Sequence, residues 1–303
     1  MPSARKRLRA VTRHRPAMAH ELAERLRAGH HRRFMESEWP LNAQDFSAYY
    51  AFAPAALAIR ECVRLQAVRQ LDLPEPLLDV GCGDGLFARL AYPNKQAWGI
   101  DINPSEVQRA QQTASYMTLI CGNIVGVHLP ESFFGSAIAN CSLEHVPDIH
   151  GALTNIRRAL KPDGTLVLIV PTPNWTHHLV IPEALRSVGL VGLAHAYGDA
   201  LDRVFSHVHL YDADGWRKHL DRAGYDVDEV RTIASRPTSW AFDLMLYPSL
   251  VGYFIRRLTG RWVAMPSLRP LTVDAARAIV NSIGRLAPEG DAAAEYLILA
   301  RKR

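Results

Sequence analysis

Three glycines within five positions, Gly81-Cys82-Gly83-Asp84-Gly85, directly follow the apolar run Pro76-Leu77-Leu78-Asp79-Val80. No other feature of this 303-residue chain constrains its fold as much. A short apolar run reads as a strand buried on both faces. Residues without a Cβ let the backbone turn sharply and approach a ligand closely. Helical spacing resumes from Leu86 to Ala91. Strand, glycine turn and helix together predict a ligand site at the carboxyl edge of a parallel sheet.

The rest of the chain repeats the alternation. Strands are expected at Ala97 to Ile100, Met117 to Cys121, Phe134 to Ala139 and Thr165 to Val170, with helices at Pro104 to Thr113 and Ile149 to Leu160. Helices of about ten residues between strands imply parallel pairing with right-handed crossovers. Ahead of this unit, residues 43 to 71 have helical apolar spacing and predict one helix with Pro54 suited to a first turn. Near the end, Ala213 to Ala223 reads as a helix stopped by Gly224, and Tyr225 to Ile233 and Glu295 to Ala300 read as strands.

Sixteen residues after Gly85, Asp101 closes the second strand, where a carboxylate can accept hydrogen bonds from both hydroxyls of a ribose. A dinucleotide fingerprint G-x-G-x-x-G is not met, because Leu86 stands where its third glycine belongs. Leu77 to Gly85, Gly99-Ile100-Asp101, Gly122-Asn123-Ile124, Ser142-Leu143-Glu144-His145-Val146 and Leu160-Lys161-Pro162-Asp163-Gly164 together resemble the class I S-adenosylmethionine-dependent methyltransferase family. In particular they resemble its small-molecule branch of ubiquinone-type and natural-product enzymes. The resemblance implies an α/β fold, a Rossmann-like doubly wound, mainly parallel sheet with an antiparallel final strand. N-terminal helices and an apolar C-terminal insertion accompany it. It further implies that Gly81, Cys82, Gly83 and Gly85 line the methionine portion of S-adenosyl-L-methionine, and of the product S-adenosyl-L-homocysteine, while Asp79 holds the ammonium group. Asp101 takes the ribose, Ile102 packs on the adenine, Asn123 and Ile124 meet its edge, and Asn140 joins the cofactor side together with one of the neighbours Tyr49 and Tyr50, of which Tyr50 is chosen. Two positions depart from the family: Asn123, often an aspartate, and Asp163, usually a glycine. An amide oxygen still accepts a hydrogen bond, and aspartate tolerates the left-handed turn.

Methyl transfer from a sulfonium needs alignment more than a nucleophile on the protein. A base helps when the acceptor is a hydroxyl or an acidic carbon, and histidine suits neutral pH. The candidates are His145, expected at the sheet's carboxyl edge, and His207 and His209, which alternate with Tyr211 along an extended segment toward one face. Trp175, His177 and His178 read as ordinary loop residues. Asn140-Cys141-Ser142-Leu143 lacks the prolines of nucleic-acid base methyltransferases, and no carboxylate cluster suggests a metal, so neither nucleic acid nor metal is expected as a partner.

The acceptor is read from two oily insertions, 171–212 and 234–292. Within the second, residues 240–263 mix aliphatic and aromatic side chains with Asp243, Pro248 and Arg256-Arg257, too interrupted to span a bilayer. They are expected to cap a pocket for a lipophilic small molecule, or to form a peripheral membrane contact or a homodimer interface. Residues 1–33 carry ten Lys and Arg against Glu21 and Glu24 in a chain of net charge +5, so a flexible basic leader is expected before a single domain at 34–303, whose residues 34–71 form a helical cap. Four scattered cysteines without metal-binding spacing fit a cytoplasmic protein. A cofactor-binding fold without methyl transfer, or a membrane- or RNA-associated protein led by its basic tail, are the competing readings.

Overall fold

The computed structural model describes residues 39–259, 262–288 and 294–303; the basic leader lies outside the described residues. Strands β1 (Leu77–Val80), β2 (Ala97–Asp101), β3 (Thr118–Cys121), β4 (Phe134–Asn140), β5 (Leu160–Pro171), β6 (Tyr225–Ile233) and β7 (Glu295–Lys302) form one sheet in the order β3-β2-β1-β4-β5-β7-β6. The pairs from β3 through β5 are parallel, whereas β7 runs antiparallel to both β5 and β6. The chain reverses direction across the sheet at β1, between β2 and β4. In a doubly wound fold this switch point opens a crevice above the strand ends.

Both faces of the sheet are covered. On one, Leu78, Val80, Ala137, Leu166, Leu168 and Ile298 pack with α5 (Ile149–Ala159) and with Trp216 and Leu220 of α8 (Ala213–Arg222). The alternate positions Leu77, Ile138, Val167, Ile169 and Leu297 are equally buried, as strands between two helical layers require. Helices α3 (Leu86–Ala91) and α4 (Pro104–Thr113) follow β1 and β2. Asp163 adopts φ 58° in the turn that leads into the paired part of β5, the left-handed conformation its short polar side chain tolerates.

The N-terminal segment departs from the sequence expectation. In place of one helix over 43–71 there are two, α1 (Ala43–Tyr50) and α2 (Ala55–Val68), with Pro54 as the N-cap of the second. A proline disfavours helical geometry in the residue before it, so Ala51 to Ala53 leave the helix. Phe52, which falls in this break, is exposed. The two insertions are helical. The first holds α6 (Val180–Ser187) and α7 (Val191–Phe205). The second holds α9 (Arg236–Thr259), which continues through Pro248, and α10 (Val273–Leu286). Among the described residues, no helix is long and apolar enough to cross a membrane.

Candidate active site

The glycine turn is pinned to the neighbouring strand, because the Gly81 and Cys82 N–H groups both donate to the Ile100 carbonyl at 2.8 and 2.9 Å. Gly81 has φ +78°, and a Cβ there would lie 2.3 Å from the Ser142 Cβ, so only glycine fits. At Gly83, φ +54°, a Cβ would meet nothing within 4 Å. The turn thus leans on the loop after β4 at one end and presents bare backbone to open space in the middle.

Two carboxylates flank the turn. Asp101 accepts from the Gly83 N–H at 2.9 Å and from the Asn103 N–H at 2.8 Å, which fixes its orientation at the tip of β2. Asp79 is 2% exposed, and one of its oxygens accepts from the hydroxyls of Tyr92 at 2.6 Å and Tyr116 at 2.5 Å. Burial pushes the Asp79 carboxyl up to about 6 despite these two hydroxyls, with Asp101 and Glu61 adding to the rise. A buried carboxylate beside two others is a place for a cation. No sequence motif announces Tyr92 or Tyr116; their role depends on where α3 and β3 bring them.

The other cofactor-side candidates divide. Ile102 is 68% exposed just beyond Asp101, free to cover a planar group. The Asn123 side-chain oxygen accepts from the Val125 N–H at 3.0 Å, a local turn that leaves its amide N–H groups and one lone pair. The Ile124 side chain belongs to the buried core, and its carbonyl accepts from the Asn155 side chain at 2.6 Å. Cys82 is likewise buried, and its thiol packs against Gly99, where a Cβ would sit 2.9 Å from the sulfur. Asn140 donates to Glu61 at 3.1 Å, and its oxygen is buried with no hydrogen-bond partner. Tyr50 meets other partners. Its ring stacks on Phe46 and under the Arg269 guanidinium, and its hydroxyl meets Thr272 at 3.2 Å. The neighbouring Tyr49 lies near Glu61 and Asp84 and has a buried hydroxyl without a partner. One residue of shift on a helix turns a side chain by about 100° and decides which tyrosine faces the site.

A cavity of about 630 Å³ opens between α2, α9 and the loop after β4. That loop links it to the glycine turn, since Ser142 abuts Gly81 while Cys141, Glu144 and His145 line the cavity. The apolar wall comes from Phe205, Phe242, Leu246 and Trp175. Trp175 is thus a buried wall residue and not an ordinary loop position. Its indole N–H donates to Asp202 at 2.8 Å, and the same carboxylate oxygen lies 2.9 Å from His207 Nδ1. His207 stacks on His145, whose Nδ1 is 3.0 Å from the Ser206 carbonyl. These acceptors assign a proton to each Nδ1 and leave each Nε2 as the basic atom. Burial lowers the His207 pKa, against the pull of Asp202.

His209 does not join them. Its Nε2 faces the Val146 carbonyl at 3.0 Å and its Nδ1 faces the Tyr211 hydroxyl at 2.9 Å. With both ring nitrogens engaged, it ties the segment before α8 to the loop after β4. The expectation that His207, His209 and Tyr211 share a face fails at His207, which turns to the cavity.

Sequence reasoning also passed over the charged floor of the cavity. Glu295 of β7 receives Arg64 side-on at 2.9 and 2.7 Å and a single bond from Arg60 Nη1 at 3.0 Å. Arg60 is 4% exposed, its guanidinium lies 4.4 Å from the Phe242 ring centre, and its Nε and Nη2 are buried with no hydrogen-bond partner. Leaving a buried donor unmet costs about 1–3 kcal/mol. Glu144 is buried too, and burial pushes its carboxyl up to about 8. Among the described residues no group of three or more His, Cys, Asp and Glu is placed to hold a metal ion.

These residues fit an adenosyl amino acid. Asp79 and Glu61 suit a cationic ammonium, Asp101 suits vicinal hydroxyls, Ile102 suits a planar base, and the open space at Gly83 admits a close backbone contact. The sequence profile of the methyltransferase-domain family matches residues 18–230. An uncharacterized methyltransferase of Mycobacterium tuberculosis is 33% identical over 96 residues, 31% of this chain and 49% of that protein. The 27-O-demethylrifamycin SV methyltransferase of Amycolatopsis mediterranei is 29% identical over 192 residues, 58% of this chain and 64% of that protein. The chain spans about half the length of the first curated relatives it matches. The crystal structure of the [4+2]-cyclase SpnF superposes with a TM-score of 0.50 at 17% identity, covering 81% of this chain and 80% of that one, a likeness of fold alone. With its sheet order, its glycine turn between two carboxylates and a profile match over most of its length, the chain belongs to the methyltransferase-domain family, of the class I S-adenosylmethionine-dependent type.

Proposed function

We propose that this protein transfers a methyl group from S-adenosylmethionine to an oxygen or carbon of a lipophilic small molecule seated in the cavity beneath α9. The observation that carries this reading is the shared loop: Ser142 touches the glycine turn while its neighbours Cys141, Glu144 and His145 line the cavity. The cofactor supplies an electrophilic methyl on a sulfonium, so the chain's task is alignment and exclusion of water. Asp79 holds the ammonium end, Asp101 the ribose, Ile102 the adenine face and Asn123 its edge. His207 Nε2 takes the acceptor's proton, with Asp202 fixing the tautomer, and His145 stacked on it completes the wall. The names of relatives support a small acceptor, among them a rifamycin-type compound. The test is incubation with methyl-labelled cofactor and a panel of lipophilic alcohols, phenols and acids. Label is expected in one acceptor class together with S-adenosylhomocysteine. Tight cofactor binding with no label transferred to any acceptor favours the non-methylating alternative.

A further inference from the structure

We propose that the outer face of α9, with the turn Pro266–Leu271 beside it, docks on an anionic lipid bilayer. That a lipophilic acceptor reaches its cavity from this surface rests on the proposed function; the docking itself does not. Tyr247, Leu250, Val251 and Leu258 fall at i, i+3, i+4 and i+11 of α9, one stripe of a helix, and all four are exposed. The turn Pro266–Leu271 adds Leu268 and Leu271, and Met265 precedes it, all three exposed. Val251, Met265 and Leu268 line one groove of about 380 Å³, which sets the two segments side by side. Leu258 and Leu271 stand out furthest, at 86% and 81% exposure. Apolar side chains gathered this openly on one face mark a contact surface.

The charge of the surrounding chain says what covers it. From Arg256 to Arg285 the sequence carries six arginines against Asp274 alone. Arg256, on the opposite side of the helix from the stripe, pairs with Glu106 of α4 at 3.0 Å, and Arg277 takes Asp274 at 2.9 Å. Arg257 is exposed next to Leu258, and Arg269 lies on the groove wall. Neither has a carboxylate partner among the described residues, where the only acid of this stretch is already paired. A second copy of this chain is the poorer occupant, since a two-fold interface sets the patch against itself and brings like charges together. Apolar tips among uncompensated guanidinium groups match the acyl and phosphate layers of an anionic leaflet. Leu250 belongs both to the stripe and to the wall of the acceptor cavity, so the cavity reaches the docking face.

Sedimentation of the full chain with lipid vesicles tests this. Phosphatidylcholine vesicles containing about one-third phosphatidylglycerol should bind the native protein about tenfold or more tightly than phosphatidylcholine alone, and salt at about 0.5 M should remove most of that difference. Leu258→Glu with Leu271→Glu should weaken binding to the anionic vesicles about tenfold or more and leave the S-adenosylhomocysteine dissociation constant unchanged. Arg257→Glu alone should weaken it about threefold or more and serves if the double variant does not fold. A native protein that ignores anionic vesicles overturns the proposal. So does vesicle binding that survives these substitutions, which would assign it to the ten Lys and Arg of residues 1–33, and so does a native dimer that the double variant splits. A native protein that binds no S-adenosylhomocysteine would instead sink the cofactor reading, a separate failure.

Discussion

The half of the molecule that runs from β1 to β5 and the half built by the two insertions are held together differently. In the first, each element packs on one close to it in sequence, and parallel ladders with apolar side chains on both faces fix the geometry. In the second, buried polar side chains tie distant segments. Asp243 of α9 accepts from the Ile181 N–H of α6 at 2.9 Å and from the Tyr197 hydroxyl of α7. Trp240 of α9 reaches Glu183 of α6 at 3.1 Å. A periodic scaffold is specified many times over, whereas a polar tie is specified once. The first half is therefore expected to govern whether cofactor binds, and the second which acceptor does.

Substitutions can break this division, starting with the scaffold. Gly81→Val combines a left-handed backbone with a clash into Ser142, costs of about 1–3 kcal/mol each, and should abolish S-adenosylhomocysteine binding by calorimetry. Retained binding would show the turn to be far softer than its contacts imply. His207→Gln should lower kcat by about 10²–10⁴-fold with little change in cofactor affinity. An equal loss in His209→Gln but none at His207 would reverse the assignment made from their hydrogen bonds.

Asp79→Asn separates stability from function. The Asp79 carboxyl rises from 3.8 to about 6 on folding, so the protonated form is favoured in the native state. Its stabilising share is complete below pH 4 and lost as pH rises through 6, a penalty of roughly 3 kcal/mol at pH 8. The Asn variant should raise the Tm of the ligand-free protein at pH 8, not at pH 4, and should weaken cofactor binding at pH 8. The native protein should in turn lose affinity as pH falls below about 6. Smaller still, Leu246→Ala removes cavity wall and should raise the acceptor's KM by about 1–2 kcal/mol in binding terms while cofactor Kd stays put. Loss of a dimer with unchanged KM would make α9 an interface, a use its exposed Tyr247, Leu250, Val251 and Leu258 permit. Glu144→Gln mimics the protonated acid present below pH 8 and should change fold stability and cofactor Kd by less than about twofold at neutral pH.

The sequence by itself determined the sheet, its flanking helices, the glycine turn and the placement of Asp79 and Asp101 beside it. Strand and helix periods are local, and a turn such as Gly81 to Gly85 carries its backbone requirement in its own residue types. Tertiary structure alone decided the rest of the site. Pro54 divides the N-terminal helix and sets Tyr49, not Tyr50, toward Glu61 and Asp84. Ile124 and Cys82 turn inward because each meets packing partners that the motif does not contain. His207 and His209 read alike as neighbours in sequence, and their different partners, Asp202 and Tyr211, separate them. Arg60 looks in sequence like a polar interruption of an apolar helix. Only the fold sets it over Phe242 beside a glutamate from the last strand and leaves half its guanidinium unanswered, because a contact between residues so far apart has no period for a sequence to display.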